Sequence, residues 1–316
     1  MGRLRRASPA PFAFYLFNLS PSLKPFSLKF MRILITGSGG MVGRALAEHC
    51  ARLGDEVAAF DRGALDIADA ASIAAAFERA RPEAVVNCAA WTDVDGCESD
   101  RERAFLVNSR AVGLLAAASR EAGASFVTIS TDYVFDGARA EGFYTQRDDP
   151  RPLSVYGEAK LEGERLARDA SARTSVVRTG WVFGRGGKNF LATVVERAAR
   201  GERLKAIADA WGTPTYAPHL AARLRELAAL DLPGLYHVAN SGEGATFEGF
   251  ARAAVETAGL GPAEIEPVAL DSLRRPAARP RNSRLRCLLS EAVGLAPLPD
   301  WRAALREFAA PEGERN

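Results

Sequence analysis

The chain has 316 residues, 47% hydrophobic and 25% charged, which suits one elaborated domain or two lobes around a sizeable core. Net charge is +2, but Arg3, Arg5, Arg6, Lys24 and Lys29 stand in an N-terminal stretch without acidic residues, leaving 36 basic against 39 acidic side chains in the body; that balance argues against a nucleic-acid-binding surface. No apolar run approaches the ~18 residues of a membrane span, four cysteines without paired spacing argue against a disulfide framework and for a cytoplasmic setting, and His49, His219 and His237 are too scattered for a metal site.

Residues 1–30 join a basic start to the apolar run Pro11–Leu19, yet no small-residue cleavage site follows. They read as a poorly ordered extension, with Met31 as the natural start of a domain. Arg32–Thr36 is a short apolar run ending in Thr36-Gly37-Ser38-Gly39-Gly40-Met41-Val42-Gly43, and a helical pattern follows through Leu53. Strand, glycine-rich turn and helix is the setting of a dinucleotide-binding loop. Gly37 suits the tight turn, Gly40 lets a pyrophosphate approach the backbone, and Gly43 lets helix and strand pack closely. The spacing is G-x-x-G-x-x-G rather than G-x-G-x-x-G. Val57–Phe60 is the next strand. Asp61 ends it, where a carboxylate bonds adenine ribose hydroxyls; Arg62 follows, where a guanidinium meets a 2′-phosphate. NADH and NADPH therefore both stay open.

Ala84–Cys88 is an apolar strand before Ala89-Ala90-Trp91. Glu98–Ala122 reads as one long helix with Asn108 inside it. Ser125–Ser130 is a strand that runs into Thr131-Asp132-Tyr133-Val134-Phe135-Asp136-Gly137. Ser154 then caps a helix on which Tyr156 and Lys160, four apart, share one face. A phenol of ordinary pKa near ~10 beside an ammonium is placed for proton chemistry, the cation drawing the phenol down. Thr174–Thr179 is the fifth strand. Strand and helix alternating in this way predict an α/β, Rossmann-type, doubly wound parallel sheet over 31–180. Ligands of such sheets bind beyond the carboxyl ends of the strands, where Gly37, Asp61, Ala89, Thr131 and Thr179 all lie.

After Gly180 the pattern loosens. A helix from about Asn189 to Arg200, a turn-rich Trp211–Tyr216 leading to another helix, a short strand Leu235–Val238, and a helix capped by Thr246 precede a tail with six arginines between Arg274 and Arg286. Residues 181–316 read as a smaller C-terminal substrate-binding lobe, partly interleaved with the first.

The glycine turn, a threonine closing the fourth strand and Tyr-x-x-x-Lys together resemble the extended short-chain dehydrogenase/reductases. Leu65-Asp66-Ile67, Asn87–Asp95, Ser130–Gly137, Arg178–Trp181, Asn189-Phe190, Gly212–Ala217 and Arg279–Ser283 narrow the resemblance to the dTDP-4-dehydrorhamnose reductase family, over about residues 31–310. The resemblance implies NAD(P)H-dependent reduction of the C4 ketone of dTDP-4-dehydro-L-rhamnose. It implies catalytic roles for Thr131, Tyr156 and Lys160. It assigns Met41, Val42, Asp61, Asp66, Ile67, Ala89, Ala90 and Trp91 to the cofactor cleft with Gly37, Gly40, Gly43, Arg62, Tyr156 and Lys160. Thr131, Asp132, Tyr133, Phe135 and Trp181 fall on the nucleotide-sugar side, and Asn108 in a position that supports the lysine. Gly180 stands where the family usually has serine, and Asp209-Ala210 where it has Asp-Gln. Tyr133 stands where the related 4,6-dehydratases resemble Thr-Asp-Glu, which argues against dehydration. The resemblance also allows a homodimer and a magnesium ion, for which the sequence shows no ligand set; neither nucleic acid nor membrane is an expected partner. Two alternatives are carried forward: a reductase or epimerase of a related nucleotide 4-keto-6-deoxysugar, and a non-catalytic NADP-binding subunit resembling the regulatory subunit of methionine adenosyltransferase.

Overall fold

Continuous burial along β-strands whose side chains alternate between two faces sets the architecture of this computed structural model, which describes residues 30–187, 190–261 and 263–310. The expected N-terminal extension, apart from Phe30, and Asn189 lie outside the described residues. The first half runs β1 (Arg32–Thr36), α1 (Met41–Arg52), β2 (Glu56–Phe60), α2 (Ala70–Ala80), β3 (Ala84–Asn87), α3 (Val94–Ser99), α4 (Arg101–Phe105), a π turn (Leu106–Arg110), α5 (Ala111–Glu121), β4 (Ser125–Thr131), α6 (Val155–Ala170) and β5 (Thr174–Thr179). Ile33, Ile35, Val86 and Val127 face one core, with Leu46 and Cys50 of α1; Leu34, Val85 and Phe126 face the other, with Leu115 of α5. Near-continuous apolar strands buried on both faces are what a parallel sheet requires. Each such side chain contributes about 1.5–3 kcal/mol by leaving water.

The second half runs β6 (Val182–Phe183), α7 (Phe190–Ala199), β7 (Leu204–Ile207), β8 (Trp211–Gly212), β9 (Thr215–Tyr216), α8 (Ala217–Leu230), β10 (Gly234–His237), β11 (Ala245–Thr246), α9 (Phe247–Thr257), β12 (Ile265–Val268), α10 (Leu288–Ala292) and α11 (Trp301–Ala309). The central sheet has six strands in the order β10-β5-β4-β3-β1-β2, all parallel. The strand expected near Leu235 is its sixth member, so residues beyond 180 complete the first layer. Leu220, Leu224 and Leu227 of α8 join α1 in the same core. A separate aromatic core of Phe183, Tyr216, Phe250 and Trp301 holds the other C-terminal elements together.

One element differs from expectation. Instead of a single helix over Glu98–Ala122, the chain makes α3, α4, the π turn and α5. The cause is local: Asp93 and Asp100 accept hydrogen bonds from Gly96 N and Arg103 N, at 2.9 and 3.0 Å, and so each starts a new helix. The π turn then sets Asn108 inward.

Candidate active site

β1 lies between β2 and β3, so the crossovers leave it in opposite directions and open a crevice at its carboxyl end. Gly37 sits there at φ +67°, and a Cβ on it would come within 2.7 Å of Ala89 N. A Cβ on Gly43 would come within 2.3 Å of the Gly37 carbonyl oxygen. Gly40 is the N-cap of α1 and offers no side-chain cap, so the backbone N–H groups of the first turn, at Met41 and Val42, are left for an anion. Glycines that permit close approach, ahead of an uncapped helix start, fit a dinucleotide pyrophosphate.

A buried polar chain lies under this loop. Thr36 Oγ1 donates to Asn87 Oδ1 at 2.6 Å, Asn87 Nδ2 donates to Thr128 Oγ1 at 3.1 Å, and Ala89 N donates to Asn87 Oδ1 at 3.2 Å. These bonds tie β1, β3 and β4 together below the crevice. Sequence reading missed this support; the available signal was a polar residue closing each of two apolar strands.

The other cofactor-side residues separate into two groups. Asp61 and Arg62 are exposed at the end of β2, and Asp61 Oδ1 accepts from Gly63 N and Ala64 N, both at 3.0 Å. Asp66 is exposed, and its Oδ1 accepts from Ala68 N at 2.9 Å. Ala89, Ala90 and Trp91 are half-buried. Asn108 holds the last of these from both sides, accepting from Trp91 N and donating to Trp91 O, each at 2.9 Å. Ile67, by contrast, is buried in the sheet core and supports the cleft from beneath.

The reacting groups meet at the carboxyl end of β4. Ser154 Oγ accepts from Gly157 N at 3.2 Å and caps α6 as expected. Two glycines let α6 come close: a Cβ on Gly157 would lie 2.4 Å from Tyr133 O, and one on Gly163 2.2 Å from Asn108 O. Tyr156 and Lys160 are both buried. Thr131 Oγ1 donates to Asp132 Oδ1 at 3.1 Å and accepts from Tyr133 N at 3.2 Å. Lys160 Nζ donates to Ile129 O at 2.7 Å.

The electrostatics correct one expectation. The net shift of Tyr156 is upward: burial pushes the phenol above its usual range, and the hydrogen bond with Thr131 opposes only part of the shift. Burial lowers Lys160 itself to about 8, against the opposing pull of Glu164. Desolvation of both groups outweighs the attraction of a cation for a phenolate. Tyr156 thus holds its proton at neutral pH, as a donor requires.

On the sugar side, Asp132 is buried, and burial raises its carboxyl to about 6 while Ser283 and Thr131 pull toward the ionised form. Among the described residues, its Oδ2 has no hydrogen-bond partner. Tyr133 stands edge-on to Tyr156 with ring centroids 6.2 Å apart. Phe135 is fully buried, with its ring stacked on Tyr144 at 4.3 Å. Trp181 adopts φ +50°, unusual for a bulky residue. Its ring stacks on Phe247 at 3.7 Å and lies over Gly212, where a Cβ would be 2.1 Å away. Arg279 clasps Asp95 with both guanidinium arms, at 2.7 and 2.9 Å, and so fastens the C-terminal segment to α3 beside Tyr133. Among the described residues, no group of three or more His, Cys, Asp or Glu is placed to hold a metal ion, and no helix is long and apolar enough to cross a membrane.

Comparison with known proteins places this geometry. The family described as RmlD substrate binding domain matches residues 31–313. The chain is 41% identical over 283 residues to a dTDP-4-dehydrorhamnose reductase of Streptomyces griseus, covering 87% of this chain and 92% of that protein. It is 40% identical over 281 residues to a probable dTDP-4,6-dihydroxy-2-methyloxan-3-one 4-ketoreductase of Streptomyces antibioticus, covering 88% of this chain and 94% of the relative. The crystal structure of dTDP-4-dehydrorhamnose reductase from Bacillus anthracis in complex with NADP is similar at a TM-score of 0.85 and 32% identity, over 89% of this chain and 99% of that one.

Proposed function

The chain belongs to the RmlD substrate binding domain family, and from that membership and the cleft geometry we infer that it reduces the C4 ketone of dTDP-4-dehydro-L-rhamnose to dTDP-L-rhamnose. The carrying observation is convergence: Thr131, Tyr156 and Lys160 meet at the end of β4, beside a glycine loop built for a dinucleotide. Gly37, Gly40 and Gly43 with the first turn of α1 would hold NADPH or NADH, which supplies the hydride. The chain supplies the rest. Thr131 hydrogen-bonds the ketone oxygen and stabilises its developing negative charge. Tyr156 gives that oxygen its proton. Lys160, fixed on Ile129 O one turn from Tyr156, provides positive charge to the same cleft. Asn108 keeps the Ala89–Trp91 wall in place. A protein carrying this donor set, similar to reductases over most of its length, is read as an enzyme rather than a binding subunit. The proposal includes a cytoplasmic location and a homodimer, the latter checked by light scattering.

The similarity to a 4-ketoreductase of another deoxysugar keeps a related nucleotide 4-keto-6-deoxysugar as a second reading. Absorbance at the reduced-nicotinamide band separates the two. Consumption of NADPH or NADH with dTDP-4-dehydro-L-rhamnose, matched by equal dTDP-L-rhamnose, is expected. No consumption by folded, cofactor-binding protein would transfer the reading to the second ketone, assayed in the same way.

A further inference from the structure

Lys160, Glu164, Ser130, Asn108 and Gly163 line one small gap between α6, the π turn and β4. Glu164 is the member the reaction does not use. Its carboxylate is 2% exposed and stands one helical turn beyond Lys160, on the same face of α6. Two strands reach it. Arg178 of β5 donates from Nε to Oε1 at 2.8 Å and from Nη2 to Oε2 at 2.7 Å; Ser130 of β4 donates to Oε1 at 2.5 Å. A buried ion pair contributes little net stability relative to apolar side chains of similar volume, so packing alone does not account for this one.

We propose, resting on the reductase reading, that Glu164 is a positioning residue for Lys160: clamped by Arg178 and Ser130 one helical turn away in the same gap, its carboxylate is the fixed anion that balances the buried ammonium donating to the Ile129 carbonyl. The groups facing Lys160 support the assignment. Glu164 and Tyr156 share its helix, Cys88 lies beyond β3, and β4 presents the Ile129 carbonyl. The π turn presents uncharged Asn108. Glu98 of α3 and Arg101 of α4 are engaged elsewhere on the helix, with Val155 N and Glu158. Arg178 meets Glu164 from the β5 side. Burial draws Lys160 down to about 8, and Glu164 is the largest influence opposing that shift.

The test is the pH profile of kcat/KM for the wild type and Glu164→Gln. The basic limb of the variant is expected to move down by about one unit, a roughly tenfold loss above pH 8 with recovery to within about threefold near pH 6. A uniform loss at every pH, or an unmoved limb, overturns the proposal. Because the single Glu164→Gln substitution leaves Arg178 buried without its counter-charge, the double variant Glu164→Gln/Arg178→Met is measured beside it; it removes both charges of the pair, so a downward shift smaller than that of the single variant is expected, and an equal or larger one would mean that lost packing, not lost charge, moves the limb. A second readout needs no substrate. The chain holds five lysines (Lys24, Lys29, Lys160, Lys188, Lys205), so 13Cε-lysine NMR, assigned through Lys160→Arg, follows Lys160 directly. Its midpoint should fall in Glu164→Gln; an unchanged midpoint sinks the idea. If the wild type reduces no ketosugar, the reductase reading fails, while the NMR titration still decides whether Glu164 governs Lys160.

Discussion

The crevice between β1 and β3 and the tips of β4 and β5 lie on one sheet, yet they are built by opposite rules. In the first, Thr36, Asn87 and Thr128 bond one another below the glycine loop, and the Asn87 oxygen also takes Ala89 N. In the second, Asp132 Oδ2 is buried without a partner, Trp181 holds a positive φ, and burial displaces the ionisation of Tyr156, Lys160 and Asp132. A satisfied polar chain rigidifies a floor. Displaced ionisations of this kind cluster at functional sites. The cofactor side is therefore shaped mainly by backbone, and the reacting side mainly by electrostatics.

The sharpest break of this contrast is Tyr156→Phe. Removing the proton donor should cut turnover by about 10²–10⁴-fold, with NADPH affinity, read by fluorescence titration, within about threefold of wild type. Turnover near normal would remove Tyr156 from the reaction. Asn87→Ala should do the reverse. It takes the side-chain partner from Thr36 Oγ1 as donor and from Thr128 Oγ1 as acceptor, and leaves Ala89 N only its longer 3.4 Å bond to Thr36 Oγ1, so denaturant unfolding should show a loss of about 2–4 kcal/mol, while kcat at saturating cofactor stays close to wild type.

Asp132 carries the sign of the reacting side. Its carboxyl is raised from 3.8 to about 6, so the folded chain binds a proton more readily than the unfolded one. Between those values stability falls as pH rises, and above about pH 6 the full cost of a buried charge is present. Asp132→Asn should therefore stabilise the protein by about 1–3 kcal/mol at pH 8 and by little near pH 4. Melting curves at the two pH values check this; equal shifts would mean that the carboxyl is not the cause. The smallest expected effect is at Phe135. Phe135→Leu should cost about 1 kcal/mol of stability through imperfect repacking and leave KM for the ketosugar within about twofold. A tenfold rise in KM would place Phe135 on the substrate side.

Much of this was legible before any coordinates. The alternation of apolar runs with helical patterns carried the parallel sheet, since a strand buried on both faces can be little else. The Gly37–Gly43 turn and the Tyr156–Lys160 spacing were readable because backbone approach and helical periodicity leave marks in composition. Three things left no such mark. Leu235 and its neighbours join the sheet edge rather than the smaller lobe, because a four-residue strand carries no label of its partner. The break at Asp100 depends on which side chains cap. The fate of Phe135 depends on Tyr144 and Arg178, brought to it only by tertiary packing. Desolvation was the largest omission, since burial reverses the direction expected for Tyr156.

The sixth strand has a consequence for synthesis. β10 covers the open edge of β5, and α8 covers the apolar face of α1 that includes Leu46 and Cys50. Both are made after residue 216. While the ribosome is still short of that point, the nascent chain presents a bare strand edge and a greasy helix side together, the combination that invites misassociation. Fragments ending near Gly180 should accordingly depend on chaperones or collect in inclusion bodies, whereas a chain that runs on through β10 should stay in solution.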